Sequence, residues 1–192
     1  MEINHISEIQ TGLVLSRKRA ESKDGETVKY KLLTLKSFDT RGILNPKLLD
    51  EFVSNCQLEN KYLTKENDII IRLTSPYTAL VIEANAKGIV IPSNFAIIRL
   101  TNDLFHPKYI ALCLNSESTN KIFNKSAIST TIPLIKTSFL KNVNIVEKPL
   151  NIQKKIVELK GLQNREDILL NNLKQEKEKL AQAYIGKIIM EE

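Results

Sequence analysis

Side chains that commonly act as nucleophiles, proton carriers or metal ligands are scarce and scattered in this sequence. The 192-residue chain has two cysteines, Cys56 and Cys113, and two histidines, His5 and His106, and none of them has a second cysteine or histidine at metal-ligand spacing. Cysteines isolated in this way are typically buried thiols. We therefore expect no metal, no cofactor and no proton-relay histidine.

Motifs of nucleotide-hydrolysing enzymes and of base methyltransferases are missing. The sequence has no GxxxxGK[ST] or GxGxxG loop, and Asn45-Pro46 lacks the second proline of an adenine methyltransferase motif. A Glu-x-Lys triplet of the nuclease type occurs near an apolar run at Glu158-Leu159-Lys160, but on a predicted helix. The chain is predicted not to be an enzyme. A compact nuclease with metal-dependent cleavage is the remaining enzymatic alternative.

Basic residues could act differently, by binding an anionic partner. The formal charge is +6 and the pI about 9.2, which is compatible with a polyanion ligand without requiring one. The tightest positive cluster is Arg17-Lys18-Arg19 with Lys23. Residues 101–150 hold six lysines against three acidic residues, whereas the chain from 151 onward holds eight basic against seven acidic residues. The balanced charges of this last segment are typical of a solvated helix.

Short strands separated by turns must position these side chains. Leucine-rich or β-branched runs at 29–35, 67–73, 78–84 and 88–100 are each bounded by turn residues. They predict a curved, mainly antiparallel sheet. Residues 106–127 have a helical apolar face and predict one helix packed on the sheet, and NVNIV at 142–146 predicts a terminal strand.

The stretch DIIIRLTSPYTALVIE, residues 68–83, predicts a hairpin, because two apolar runs flank a short polar turn. Arg72, Ser75, Tyr77 and Thr78 lie in or beside that turn. Either the turn is merely solvated, or it is a sheet edge that offers polar side chains to a ligand. The residues alone leave both interpretations open.

Everything after Pro149 lacks proline and is predicted to be helical, which gives two regions, 1–150 and 151–192. A helix from Asn151 to Ile185 would be about 50 Å long, more than a domain of this size needs internally. Its apolar residues favour antiparallel pairing with a second long helix over packing on its own domain, and Gly186 is expected to end it. The predicted pairing residues are Ile152, Ile156, Leu159, Leu162, Leu169, Leu170, Leu173, Leu180 and Tyr184.

Several weak motifs occur in the order of a known family. Residues 7–12 followed by the basic cluster resemble its entry strand and glycine turn, and residues 29–35 followed by Arg41-Gly42-Ile43 resemble its next strand. Residues 67–72 stand where the family writes G-D-I-L, with Asn67 at the glycine, a change that a left-handed turn accepts. Residues 88–96 resemble a strand that carries an Asn-Gln pair, although Phe95 replaces the glutamine.

The later motifs continue this order. Residues 106–110 are similar to a "P-x-Y-L" helix start, residues 127–134 stand at a Gly-Ser/Thr-rich loop, and residues 149–153 match the passage into a long helix. Gly186-Lys187 resembles the end of the family's second helix. On these motifs the sequence resembles one half of the DNA-specificity (S) subunit of type I restriction-modification systems.

The resemblance implies an α+β fold: a curved, mainly antiparallel β target-recognition domain with packed helices at 1–150, and a long coiled-coil helix at 151–192. It implies a non-catalytic, cytoplasmic subunit that binds double-stranded DNA and directs methyltransferase (M) and restriction (R) subunits to a bipartite site. With one domain and one helix, and with Met1 and a final Glu-Glu as its ends, a half-size form is expected. Its homodimer would read a palindromic site.

If the chain is such a subunit, cationic and hydroxyl side chains contact phosphates and a few polar side chains read bases. The predicted DNA contacts are Arg17, Lys18, Arg19, Lys23, Arg41, Arg72, Ser75, Tyr77, Thr78, Asn94, Ser129, Thr130, Thr131 and Lys136. The alternative is a coiled-coil scaffold or regulator that binds protein and not DNA. Salt dependence separates the two, because DNA binding weakens steeply as salt rises.

Overall fold

The computed structural model describes residues 1–21, 26–127 and 134–190. Met1–Leu150 form one compact unit and a second begins at Asn151. The strands are β1 (Ser7–Thr11), β2 (Val28–Leu32), β3 (Asp50–Ser54), β4 (Ile69–Arg72), β5 (Ala79–Val81) and β6 (Phe95–Leu100). The helices are α1 (Pro107–Leu114), α2 (Glu117–Ala127), α3 (Thr137–Lys141) and α4 (Leu150–Met190). Short 3-10 turns lie at Ile3–His5, Leu15–Arg17, Leu35–Ser37, Pro46–Leu48, Asn60–Tyr62 and Ala84–Ala86.

The main sheet has four antiparallel strands in the order β1-β6-β4-β5. The predicted hairpin of residues 68–83 is confirmed, since β4 pairs with β5 with Ile70 opposite Leu80. Ile69, Ile70 and Ile71 are all fully buried. Successive side chains of a strand point to opposite faces, so both faces of β4 are covered. This explains why β4 is a continuous apolar run.

Helices cover one face of the main sheet, where α1 packs on β4 and β5 and α3 packs on β1. The prediction of one helix over 106–127 is wrong, because the chain breaks at Asn115 into α1 and α2. The Asn115 amide pairs with both backbone groups of Ala79, at 2.7 and 2.8 Å. The Ser116 hydroxyl accepts from the Thr119 N–H at 3.2 Å and begins the next helix. These polar contacts compete with a continuous helix.

The opposite face of the main sheet is covered by the segments around Leu33, Phe38 and Ile89, which share a core with Ile70 and Phe95. Beside it lies a second sheet, formed by β2 and β3. It is joined to the first by backbone hydrogen bonds around Val90: the Leu33 N–H donates to the Val90 carbonyl at 3.0 Å. Strand β3 is absent from the prediction, because DEFVS begins with two acidic residues that conceal its alternation.

Two turns have the backbone conformation or close packing that their Asn or Gly residues allow. Asn67 has a φ of 67°, so the left-handed turn expected where asparagine replaces glycine is confirmed. A Cβ at Gly12 would collide with the carbonyl oxygens of Ile91 and Pro92, which explains the glycine after β1. The predicted terminal strand is reduced to one bridge between Glu2 and Asn144.

Helix α4 has 41 residues and is about 60 Å long at 1.5 Å per residue, and from Asn151 onward it belongs to the second unit. It continues to Met190, so the expectation that Gly186 ends it is wrong. Glycine ends a helix when its φ is positive, and Gly186 does not have a positive φ. In the described part of the chain, α4 and the other helices are too short or too polar to cross a membrane.

The α+β fold class predicted from the sequence is confirmed, with antiparallel sheets, packed helices and a long C-terminal helix.

Candidate nucleic-acid interface

The basic cluster at Arg17-Lys18-Arg19 is held against the free edge of β3. The Ala20 N–H donates to the Val53 carbonyl at 2.9 Å, and the Asn55 N–H donates to the Lys18 carbonyl at 3.0 Å. Arg19 forms a bridge with Ser54 between these two bonds. Residues 18–20 therefore add a third, short strand to β2 and β3. We name this three-stranded surface, together with Arg17 directly before the short strand, the basic ribbon.

Cations on the basic ribbon are placed by strand alternation. Lys29 lies opposite Val53 in the β2–β3 register and is exposed. Lys31 lies on the same face and pairs with Glu51 at 3.4 Å. The Lys18 amino group is 3.5 Å from the Cys56 sulfur, and the Arg19 guanidinium is 5.9 Å from the centre of the Phe52 ring.

The basic ribbon carries an excess of positive charge. Arg17 and Lys29 are exposed and make no ion pair with any described residue, whereas Lys31 is largely offset by Glu51. The sequence analysis missed Lys29, although its alternation with Tyr30 in KYKL is the period-2 signal of a strand with one solvent face. This surface can attract phosphates, because its backbone is fixed and its charged groups are solvated.

The β4–β5 turn differs from what the sequence predicted. Arg72, Tyr77 and Thr78 are 7%, 2% and 4% exposed. The Tyr77 ring packs edge-on against Phe123 at 5.6 Å, and burial raises the pKa of its hydroxyl. In this conformation none of the three offers its side chain to DNA, so we place all three in the core and not among the DNA contacts. The local pattern does not contain these long-range contacts: Tyr77 packs on Phe123 of α2, and Arg72 packs on Phe38.

Arg72 is buried under the loop that begins at Leu35 and contacts it from the inside. Its guanidinium donates to the carbonyl oxygens of Leu35 and Phe38 and stacks on the Phe38 ring at 4.2 Å. Its Nε has no hydrogen-bond partner among the described residues. Burial lowers the pKa of Arg72, and the Asp39 charge opposes that shift. Arg72 therefore pins residues 35–38 onto the main sheet.

Asp39 and Arg41 lie at the exposed top of this loop. Arg41 Nε donates to Asp39 Oδ2 at 2.7 Å, and the Arg41 and Ile43 backbone N–H groups both donate to Asp39 Oδ1 at 3.0 Å. Partial burial raises the pKa of Asp39, but the hydrogen bonds from Ile43 and Arg41 and the Arg41 charge outweigh it, so the net pKa is lowered. Sequence analysis identified Arg41 and missed its partner Asp39.

Ser75 remains exposed in the turn, after which the Ser75–Pro76 peptide bond is cis. The segment before α3 runs beside it: Thr74 forms a bridge with Leu134, and the Ile135 N–H donates to the Leu73 carbonyl at 2.8 Å. Lys136, the next residue, is exposed. Ser75 and Lys136 therefore belong to adjoining backbone segments and form a second polar surface, smaller than the basic ribbon.

The remaining predicted contacts have different outcomes. Asn94 is half-buried, and its carbonyl accepts from the Leu73 N–H at 3.0 Å. Its amide as a DNA contact stays a prediction. Lys23, Ser129, Thr130 and Thr131 lie outside the described residues.

Along α4 the predicted pairing residues form an apolar stripe without a covering partner among the described residues. Leu159, Leu162, Leu169, Leu170, Leu173, Leu180 and Tyr184 are each 52–60% exposed, and Ile156 is 37% exposed. A helix that exposes so regular a row of leucines is typical of one that pairs with another helix. We name these eight residues the apolar stripe. Ile152, the ninth predicted pairing residue, is half-buried and is not part of it.

The described residues contain no group of three or more histidine, cysteine or acidic side chains placed to hold a metal ion. The arrangement is that of an α+β domain followed by one long helix. The class of protein is therefore an α+β domain with an exposed basic ribbon, followed by a long helix with an exposed apolar stripe.

Comparisons with known proteins found solved structures with a similar fold. No protein-family model and no curated protein matches the sequence. The crystal structure of the HsdS subunit from Thermoanaerobacter tengcongensis is similar, with a TM-score of 0.63 and 15% identity over 88% of this chain and 42% of that chain. A chain from a structure on complex assembly and conformational transition of the type I R-M system has a TM-score of 0.57 and 15% identity, over 88% of this chain and 39% of that one.

The chain therefore has the fold of a type I specificity subunit, as the resemblance in its sequence predicted. It spans about two fifths of the length of each of these two neighbours.

Proposed function

We propose that this protein is a sequence-specific DNA recognition subunit of a type I restriction-modification system. The fold shared with an HsdS subunit is the observation that carries the proposal. The basic ribbon supports it, because Arg17 and Lys29 are exposed cations on a fixed backbone. In this role the chain is non-catalytic and brings the methyltransferase and restriction subunits to DNA.

We propose further that the working form is a homodimer joined through the apolar stripe. The leucines from Leu159 to Leu180 in the apolar stripe are more than half exposed and would be covered in a paired state. Two copies related by a two-fold axis present two identical DNA-reading domains, so the target is a bipartite palindrome.

Co-expression with the methyltransferase subunit of the same system and sequencing of modified bases tests both proposals. A split motif whose halves are inverted repeats is expected. An asymmetric motif, with this chain as the only specificity subunit, would contradict the homodimer. The absence of any motif-specific modification would contradict the recognition function.

Salt titration of DNA binding distinguishes the proposal from the scaffold alternative. Each phosphate contact that is neutralised contributes a slope of about −0.9 to log K against log salt. The double variant Arg17→Ala/Lys29→Ala is expected to reduce the magnitude of that slope by about 2. Lys160→Ala/Lys174→Ala removes the same charge from α4, which is not part of the basic ribbon, and is expected to leave the slope near the wild-type value. A purified chain that ignores duplex DNA even in dilute buffer would favour the scaffold.

A further inference from the structure

The loop of residues 35–48, which we name the Arg41 loop, presents one arginine in a fixed orientation. Arg41 is 41% exposed, and both its Nε and one terminal nitrogen lie 2.7 Å from Asp39 Oδ2. The carboxylate therefore occupies the side edge of the guanidinium. The end edge, formed by the two terminal nitrogens, keeps donors for a second partner.

The Arg41 loop is rigid for reasons that do not depend on Arg41. The Asn45 N–H donates to the Ser37 carbonyl at 2.7 Å, and the Ser37 hydroxyl donates to the Leu48 carbonyl at 3.0 Å. Gly42 has a φ of 76°, and a Cβ there would lie 2.5 Å from the Ala79 carbonyl oxygen. The turn is therefore seated directly on β5.

Arg72 holds the same loop from inside, through the Leu35 and Phe38 carbonyls. A buried arginine that lacks one hydrogen bond costs stability, because its charge is desolvated and its Nε is unsatisfied. In return, the Arg72 guanidinium holds a short surface loop in place through the Leu35 and Phe38 carbonyls. A fixed loop loses little conformational entropy when its exposed side chain binds a ligand.

On this geometry we propose that Arg41 reads a guanine in the DNA target, with Asp39 as its positioning residue. Guanine offers two acceptors, O6 and N7, in the major groove, and an arginine end edge can donate to both at once. A carboxylate bound to the side edge selects this end-on approach. The inference rests on the proposed DNA-recognition function and adds to it one base-reading residue and the base that it reads.

Other features of the Arg41 loop fit contact with bases better than contact with phosphates alone. Ile43 and Leu48 are 40% and 41% exposed, so the surface around the guanidinium is partly apolar. Thymine methyl groups in the major groove are bound by such side chains. Phosphate contact would need only the charge of Arg41, which Asp39 partly offsets.

Selection from a pool of randomised DNA duplexes with the purified full-length chain tests the inference. Arg41→Ala is expected to lower discrimination for guanine at one position of each half-site by roughly 5- to 150-fold, the range for one bidentate arginine–guanine pair. Arg41→Lys keeps the charge, and is expected to keep the salt slope while losing most of the guanine preference. Asp39→Asn is expected to weaken the preference partially.

Lys47→Ala is the matched control, because Lys47 is an exposed cation of the same loop whose side chain makes no ion pair among the described residues. It should leave every position of the selected motif unchanged. A wild-type chain that selects a motif which Arg41→Ala also selects, with equal discrimination throughout, would overturn the guanine assignment while the recognition function stands. A wild-type chain that selects no motif would overturn both. An Asp39→Asn variant with wild-type preference would remove the positioning role.

Discussion

The two units of this chain differ in how far their apolar side chains are exposed. In the first unit, Ile70, Phe95 and Ile97 are fully buried between two layers. In the second, Leu162, Leu173 and other members of the apolar stripe are more than half exposed. Burial of apolar area is the main stabilising contribution to folding. The first unit therefore has its own core, whereas the described part of the second unit leaves its apolar stripe exposed to solvent.

The largest expected effect comes from charging the apolar stripe. Leu169→Glu/Leu173→Glu places two buried charges in the proposed helix pair, so the dimer should dissociate to monomers in sedimentation experiments. Loss of the second DNA-reading domain should weaken binding to the bipartite site by about 10²- to 10⁴-fold.

Asn171→Glu/Gln175→Glu is the matched control for this change. By the 100° spacing of helical residues, these two positions lie on the face opposite the stripe. The control should remain dimeric. If both double variants dissociate equally, the stripe is not the dimer surface.

A second prediction compares one truncation in each unit. Phe95→Ala removes a fully buried ring that packs on Phe38, and should lower the free energy of unfolding by about 3–5 kcal/mol. Leu180→Ala removes a side chain that is 58% exposed, and should change the stability of the first unit by less than about 0.5 kcal/mol. Urea unfolding at low protein concentration measures both. Equal losses would mean that the two units do not differ as described.

A third prediction concerns polar burial. Arg72→Met keeps contact with the Phe38 ring but leaves the Leu35 and Phe38 carbonyls without their donor, and should cost about 2–3 kcal/mol of stability. Lys36→Met removes an exposed cation of the same loop, paired with Asp50 at 2.8 Å, and should cost less than about 1 kcal/mol. Thermal unfolding separates the variants. Equal costs would show that Arg72 is not a structural support.

The smallest effect is expected from the pH dependence of Asp39. Its pKa is lowered below the ordinary value of 3.8, so its ionised form stabilises the folded state. That contribution is fully present above the ordinary pKa and is lost as pH falls through the folded pKa. Asp39→Asn should therefore be less stable than wild type above pH 4, with a gap that closes in stronger acid. A gap that is constant with pH would exclude the carboxylate as its cause.

The sequence predicted the structure of the two units to different extents. Heptad spacing identified the residues of the apolar stripe, because in a helix the face of a side chain follows from its position alone. In the first unit the β4–β5 hairpin followed from its apolar runs and turn residues. The break at Asn115 did not, because it depends on the backbone of Ala79, a residue 36 positions away.

The candidate site shows the same division. The positive charge of Arg17-Lys18-Arg19, the left-handed turn at Asn67 and the long helix were determined by the sequence itself, since charge, turn conformation and helical periodicity are local properties. Only the tertiary structure decided that Arg72, Tyr77 and Thr78 are buried, that Arg41 is oriented by Asp39, and that the basic cluster is fixed to β3. Burial and the attachment to β3 depend on contacts with segments distant in the chain, and burial cannot be read from a residue's type. Asp39 and Arg41 are only two residues apart, but the loop that places them is held by Gly42 on β5 and by Arg72.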